Sequence, residues 1–400
     1  MARRSLLFFL LAFVGVALVA AGPASAAVSV GGYVKLDLQW SDKIMGGGAP
    51  SPGVAQTPLD KRLLPDGITL ADNSEVDNTQ TLLDARQSRL RVTFDDNVGG
   101  VKMSGRIEAD FFTGDGNALT SNSRHPRLRH AYARADHPAG FFLLAGQTWS
   151  IWMNDAIAQP NIIDFNGPAG QIFARQPQVR AGWRNNLGPM GSLVLEGGVE
   201  KHSTNDRGSA IVNEAQGEGQ SMPLLAGKVS WLHSIFQAEA ALALANNTVI
   251  LTGGKDESEG AWAFQVSAQA TMAPVTLVAH FQSQKGLGRL INQDFPSAFL
   301  GADNKVDNIE STGFYVGGSF ALSPDASINA YYGWAKADEA ASVGFTGSQI
   351  EQMTSIHVNF LQKFWKNWQA GVELQRYNVE AFDGTEGDAT IIQGAIWYFF

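Results

Sequence analysis

An arginine-rich stretch holds the residue types best suited to act on a solute. Arg89 and Arg91, Lys102 and Arg106, and Arg127 and Arg129 recur at even spacings, with Glu108 and Asp110 among them. Successive side chains of an extended chain alternate between faces, so even spacing gathers each group on one side of a strand. A guanidinium keeps its charge at any working pH and grips a carboxylate through two parallel hydrogen bonds. The chemistry indicated is electrostatic binding of anions. Arg175 and Arg180 extend the series less regularly. A second reading stays open, in which Glu108 and Asp110 neutralise their neighbours and the salt bridges only stiffen a wall.

Bond-making chemistry finds little support. The chain has no H-E-x-x-H, no G-x-S-x-G, no phosphate loop and no calcium-loop pattern. Its seven histidines are scattered, and His130 beside Tyr132 reads as a packed or interface residue rather than a general base. A hydrolase built from a serine and a histidine on one face remains an alternative, as does a plugged structural or receptor barrel. With no cysteine, neither disulfides nor thiolate metal sites are available. A formal net charge of −9 argues against nucleic acid as a partner. No cofactor or metal site is expected.

The arginines must be positioned by strands. Residues 1–26 read as a secretory leader: Arg3 and Arg4, an apolar run from Leu6 to Ala20, then an exit at Ala24 and Ala26. No other stretch reaches the roughly 20 apolar residues of a membrane helix, so entry into a membrane requires a closed barrel. Residues 27–400 show no break in composition and read as one all-β domain, a transmembrane antiparallel β-barrel. Runs of about ten alternating residues repeat along it, giving about 16 strands with both termini on one side. Short turns, such as Asp96–Gly100 and His137–Gly140, fall on that side. Long connections, such as Asp42–Leu83 and Gly286–Ser311, fall on the other, and acids such as Asp66, Asp72, Glu75 and Asp77 concentrate there. Leu90, Val92 and Phe94 oppose Arg89, Arg91 and Thr93; Ile107 and Phe111 oppose Arg106, Glu108 and Asp110. Apolar side chains therefore meet lipid and charged ones line a lumen.

Two segments depart from this pattern. Residues 150–171 form a long connection with Asp155 and Asp164, expected to fold into the lumen so that both carboxylates face the arginines; a plain exposed loop is the alternative. Phe141 to Ala145 is apolar on both faces, which suits packing against such a loop or against a neighbouring protomer. The last strand, with Ile392, Ile396 and Tyr398 on one face, ends at Phe400, a residue suited to reading by the barrel-assembly machinery.

Several blocks resemble one family. Gly31-Gly32-Tyr33-Val34-Lys35-Leu36-Asp37, Gln87-Ser88-Arg89-Leu90 and Gly105 to Phe112 are similar to DcaP-like porins. So are Arg127 to Tyr132, Gly146 to Ser150, Phe165-Asn166-Gly167-Pro168 and Arg175 to Arg180, all in the first half. The resemblance implies a homotrimeric 16-stranded channel in a Gram-negative outer membrane, taking up small dicarboxylate-like anions. Some members carry a helical coiled coil before the barrel; here the first strand follows the leader almost at once, leaving trimerisation to the barrel wall.

Overall fold

A computed structural model of the chain describes residues 26–42, 79–112, 123–165, 167–202, 222–250, 256–291, 295, 297–300, 303, 305–338, 350–382, 384 and 386–400. The leader before Ala26 and the acids Asp66, Asp72, Glu75 and Asp77 lie outside them, as do large parts of the long connections.

The first half of the sheet contains β1 (Ala27–Ser41), β2 (Gln80–Asp84), β3 (Arg89–Val98), β4 (Val101–Asp110) and β5 (Arg127–Asp136). It continues with β6 (Phe141–Trp149), β7 (Arg175–Asn186), β8 (Ser192–Glu200), β9 (Leu224–Leu232) and β10 (Phe236–Ile250). Then come β11 (Asp256–Met272), β12 (Val275–Lys285) and the small hairpin β13 (Ala298–Leu300) and β14 (Val306–Asn308). The wall is completed by β15 (Glu310–Ser323), β16 (Ala326–Ala337), β17 (Ile350–Phe364), β18 (Trp368–Ala381) and β19 (Glu386–Phe399). Each wall strand pairs antiparallel with its neighbours, and β1 closes the ring by pairing with β19, Tyr33 opposite Phe399 and Ser41 opposite Ile391. The strands β2 and β3 pair with different stretches of β1 and occupy a single position, so 16 strands surround the barrel. Closure leaves no unpaired edge, the condition for backbone to cross hydrocarbon.

Burial is inverted relative to a water-soluble sheet. Along β1, Lys35, Asp37, Gln39 and Ser41 are buried inside, while Val34, Leu36 and Leu38 are each about half exposed outside. Ile328, Ile356, Val358 and Phe360 likewise face out, and Asn329, His357 and Asn359 face in. The outward set buries its surface only when lipid is present. Val358→Arg, in the middle of β17, is expected to destabilise the barrel by about 2–4 kcal/mol in membranes. Loss of the heat-modifiable folded band at lower urea would measure it; an unshifted midpoint would contradict an outward Val358.

The structure lengthens several strands. The ladder of β10 and β11 runs past Asn246 through Asn247–Glu259 and Thr248–Ser258 to Ile250–Asp256. The pair β18 and β19 likewise continues to Glu380–Glu386. In these extensions the apolar–polar alternation breaks down, as in Asn246-Asn247-Thr248 and Glu257-Ser258-Glu259, so the period-two signal fades while backbone pairing persists. The segment Gln80–Asp84, read as loop up to Leu83, is strand for the same reason.

Candidate functional site

The register of β3, β4 and β5 assembles the basic cluster. Arg89 lies opposite Asp110, Arg91 opposite Glu108, and Thr93 opposite Arg106. Between β4 and β5 the register shifts at Glu108/Ala109: Asp110 pairs with Arg127 and Glu108 with His130, leaving Arg129 as the extra residue. Strict alternation would send His130 to the face opposite Arg127 and Arg129. The bulge instead lets all three point inward, because a bulged strand presents two residues against one.

Two carboxylates underpin this wall. Asp110 receives Arg127 in bidentate fashion, Nε at 2.8 Å and Nη2 at 2.7 Å. Arg129 bridges both acids, Nε to Glu108 at 2.9 Å and Nη1 to Asp110 at 2.8 Å. Glu108 also has Arg89 at 3.8 Å and Arg106 at 3.9 Å. Glu108, Asp110 and Arg129 are buried, whereas Arg89, Arg106 and Arg127 keep a quarter to a third of their side chains accessible. Four guanidinium groups over two carboxylates leave a positive surplus on the accessible side. The salt bridges are real, but they hold Arg129 rather than cancel the whole cluster.

The other basic residues are placed differently. Lys102 is largely exposed near the β3–β4 turn, 4.0 Å from Asp95, and Arg91 pairs across from Gly31 on β1. Arg175 rests over the rings of Trp149, at 4.7 Å, and Phe173, at 5.4 Å, within the field of Arg129, Arg127 and Arg89. Arg180 is buried and pinned by Gln178 at 2.9 Å, the Trp149 carbonyl at 2.7 Å and Glu196 at 3.5 Å. It braces the wall.

The connection between β6 and β7 crosses the barrel interior, and glutamates hold its main chain. Glu200 accepts the Ile151 N–H and, at 2.6 Å, the Ser150 hydroxyl, Glu239 the Ala156 N–H at 3.2 Å, and Glu373 the Ile163 N–H at 2.6 Å. Further along, Tyr331 accepts the Asn161 N–H at 3.1 Å, and Ser355 the Ala169 N–H at 2.8 Å. Gly333 makes room for this path, since a Cβ there would stand 2.4 Å from the Ala169 oxygen. The Lys35 ammonium also donates to the Ile163 carbonyl at 3.0 Å. One segment thus touches β10, β16, β17, β18 and β1 in turn, which only a path through the lumen allows.

The two acids of this segment are drawn to the wall. Asp155 pairs with Lys228, whose other neighbours are Glu196 at 3.3 Å and Glu239 at 3.8 Å. Asp164 accepts the Tyr377 hydroxyl at 2.6 Å. Both were expected to face the arginines; closer donors on β9 and β18 engage them. Asn166 lies outside the described residues. The apolar run in β6 resolves with Phe141 outward and Phe142 and Leu144 inward. The Arg134 guanidinium covers Phe142 at 3.9 Å, and Gly182 leaves space for that ring.

Glu200, Glu239, Glu373 and Lys228 escaped the sequence reading. A signal did exist for Glu239 and Glu373, each a single charge between outward apolar neighbours, as in Val372-Glu373-Leu374. His130 is buried with Nδ1 3.0 Å from the Thr148 hydroxyl and its ring edge-on to Trp149. That is a packed environment.

A family model described as Gram-negative porin matches residues 12–381. No curated protein matches. The solved outer-membrane channel DcaP of Acinetobacter baumannii superposes with a TM-score of 0.69 at 22% identity, over 96% of this chain and 100% of that one. An anion-selective porin from Comamonas acidovorans gives 0.59 at 13% identity, covering 94% and 100%. The trimer form of OmpT, an outer membrane protein of Vibrio cholerae, gives 0.57 at 12%, covering 94% and 99%.

Proposed function

Because the chain belongs to the Gram-negative porin family and is a porin-type outer-membrane channel, we propose that the solutes it passes are small organic anions, dicarboxylate-like in chemistry. They cross a water-filled gap between the β3–β5 wall and the segment 150–171. Arg89, Arg106 and Arg127 attract them, Arg91, Lys102 and Arg175 widen the positive field, and Arg129, Arg180, Glu108, Asp110, Asp155 and Asp164 hold the frame. Residues 1–26 export the chain, Phe400 presents it to the assembly machinery, and the folded barrel sits in lipid as a homotrimer. Family and fold point to a channel rather than an enzyme.

The observation that carries this reading is the guanidinium surplus over Glu108 and Asp110. Among the described residues Arg89 Nε and Arg175 Nη1 are buried N–H groups with no acceptor, and a buried donor calls for a partner. A carboxylate oxygen is the acceptor such groups hold best. The anion-selective fold neighbour and the trimeric one lend support by analogy.

Reversal potentials across planar bilayers under a salt gradient test it. Anion preference is expected, greatest near 0.1 M salt, where the screening length is about 10 Å, and reduced near 1 M, where it is about 3 Å. Cation preference at low salt would defeat the proposal.

A further inference from the structure

Like charges packed this closely need something between them. Phe112, just beyond β4, stacks on Phe165 of the inward segment with centroids 4.4 Å apart. Phe165 meets Phe173 edge-on at 5.7 Å, and Phe173 meets Trp149 at 5.0 Å. The four rings form one continuous array behind the basic wall. Four arginines lie against its rings: Arg86 over Phe112 at 4.6 Å, Arg127 over Phe165 at 5.0 Å, Arg129 over Phe165 at 5.8 Å and Arg175 over Trp149 at 4.7 Å. Phe112 is fully buried and Phe165 nearly so, so these faces serve the arginines and not a passing solute.

We infer that this aromatic array is a selectivity-determining platform, which positions the guanidinium groups without itself touching the permeating ion. The inference rests on the anion reading of the channel. A ring face carries negative charge density and attracts a cation within about 6 Å. A planar guanidinium laid on a ring keeps its N–H edge free, so its donors project sideways in a fixed plane. The rings therefore do for the cluster what additional carboxylates would do, holding the cations together, but without subtracting charge from the pore. Glu108 and Asp110 neutralise as they hold; the rings hold without neutralising. Phe165 gains a second role, since it joins the inward segment to the basic wall and sets the two sides of the gap in register.

The test uses the refolded full-length barrel in planar bilayers. Phe165→Leu and, separately, Phe112→Leu are expected to lower the anion-to-cation permeability ratio at least threefold. Phe165→Tyr, which keeps the ring, retains most of the preference. The Phe112 variant leaves the inward segment's own sequence and its glutamate anchors unchanged, so an equal loss there at the parental single-channel conductance assigns the effect to the rings and not to movement of that segment. Unchanged ratios in both leucine variants, in channels whose parent is anion-selective, overturn the platform. A parent with no anion preference instead overturns the solute assignment on which it rests.

Discussion

Arg106→Gln combined with Arg127→Gln is expected to lower the anion-to-cation permeability ratio by about tenfold, roughly 1.4 kcal/mol in relative energy. Both guanidinium groups keep part of their surface accessible, 32% for Arg106 and 24% for Arg127. A unit charge about 7 Å from an ion contributes roughly 0.6 kcal/mol even at the dielectric constant of water. Two such charges act with opposite sign on anions and cations, so the ratio feels the effect twice, and salt takes part of it back. The fold should survive, because Asp110 keeps Arg129 and the Phe112 N–H, at 2.8 and 3.2 Å. Glu108 keeps Arg129 at 2.9 Å. Lys102→Gln removes one unit of charge from a far more exposed position and is expected to change the ratio by much less than half as much on a logarithmic scale. A logarithmic effect of Lys102→Gln reaching half that of the double variant would show that overall charge, not the cluster around Glu108 and Asp110, sets the selectivity.

Glu373→Gln is expected to have the second large effect, an increase in single-channel conductance as the inward segment leaves the wall. The Glu373 carboxylate is fully buried and is surrounded by donors: Ile163 N–H at 2.6 Å, Asp164 N–H at 3.4 Å and the Asn359 amide at 2.9 Å. His357 adds a ring nitrogen at 3.1 Å. Glutamine has the same shape but turns one acceptor oxygen into a donor, so at least one N–H faces another donor. A buried donor left unmatched costs about 1–3 kcal/mol, enough to reduce the seated population of this stretch at least about fivefold. Glu200 and Glu239 still hold the start of the segment, so the change is local and the barrel folds. Conductance traces should show larger and noisier openings, and a protease added from outside should cleave near Ile163. Traces identical to the parent would mean that the segment is held elsewhere.

These two expectations draw on different kinds of information. The barrel itself was legible in the chain. Alternation in stretches such as Arg89–Phe94 and Arg106–Phe111 assigned the faces, and the turns between them led to a count of about 16. That works because the two faces of a strand differ by one position, a relation contained within a few neighbouring residues. The candidate arginines were legible for the same reason, since Arg89, Arg106 and Arg127 are inward charges in otherwise ordinary strands.

What the tertiary structure alone decided concerns residues far apart along the chain. The bulge at Arg129 is invisible to a period-two reading, because it breaks that period and turns His130 inward beside the arginines. The acids of the inward segment were identified, but not their partners: Asp155 found Lys228 and Asp164 found Tyr377, more than 70 and 200 residues away in sequence. The glutamates that hold the segment come from three strands, β8, β10 and β18, brought together only when the ring closes. Local alternation dictates which way each side chain points. Closure of the barrel dictates which side chain it meets, because that depends on the register of every strand between them.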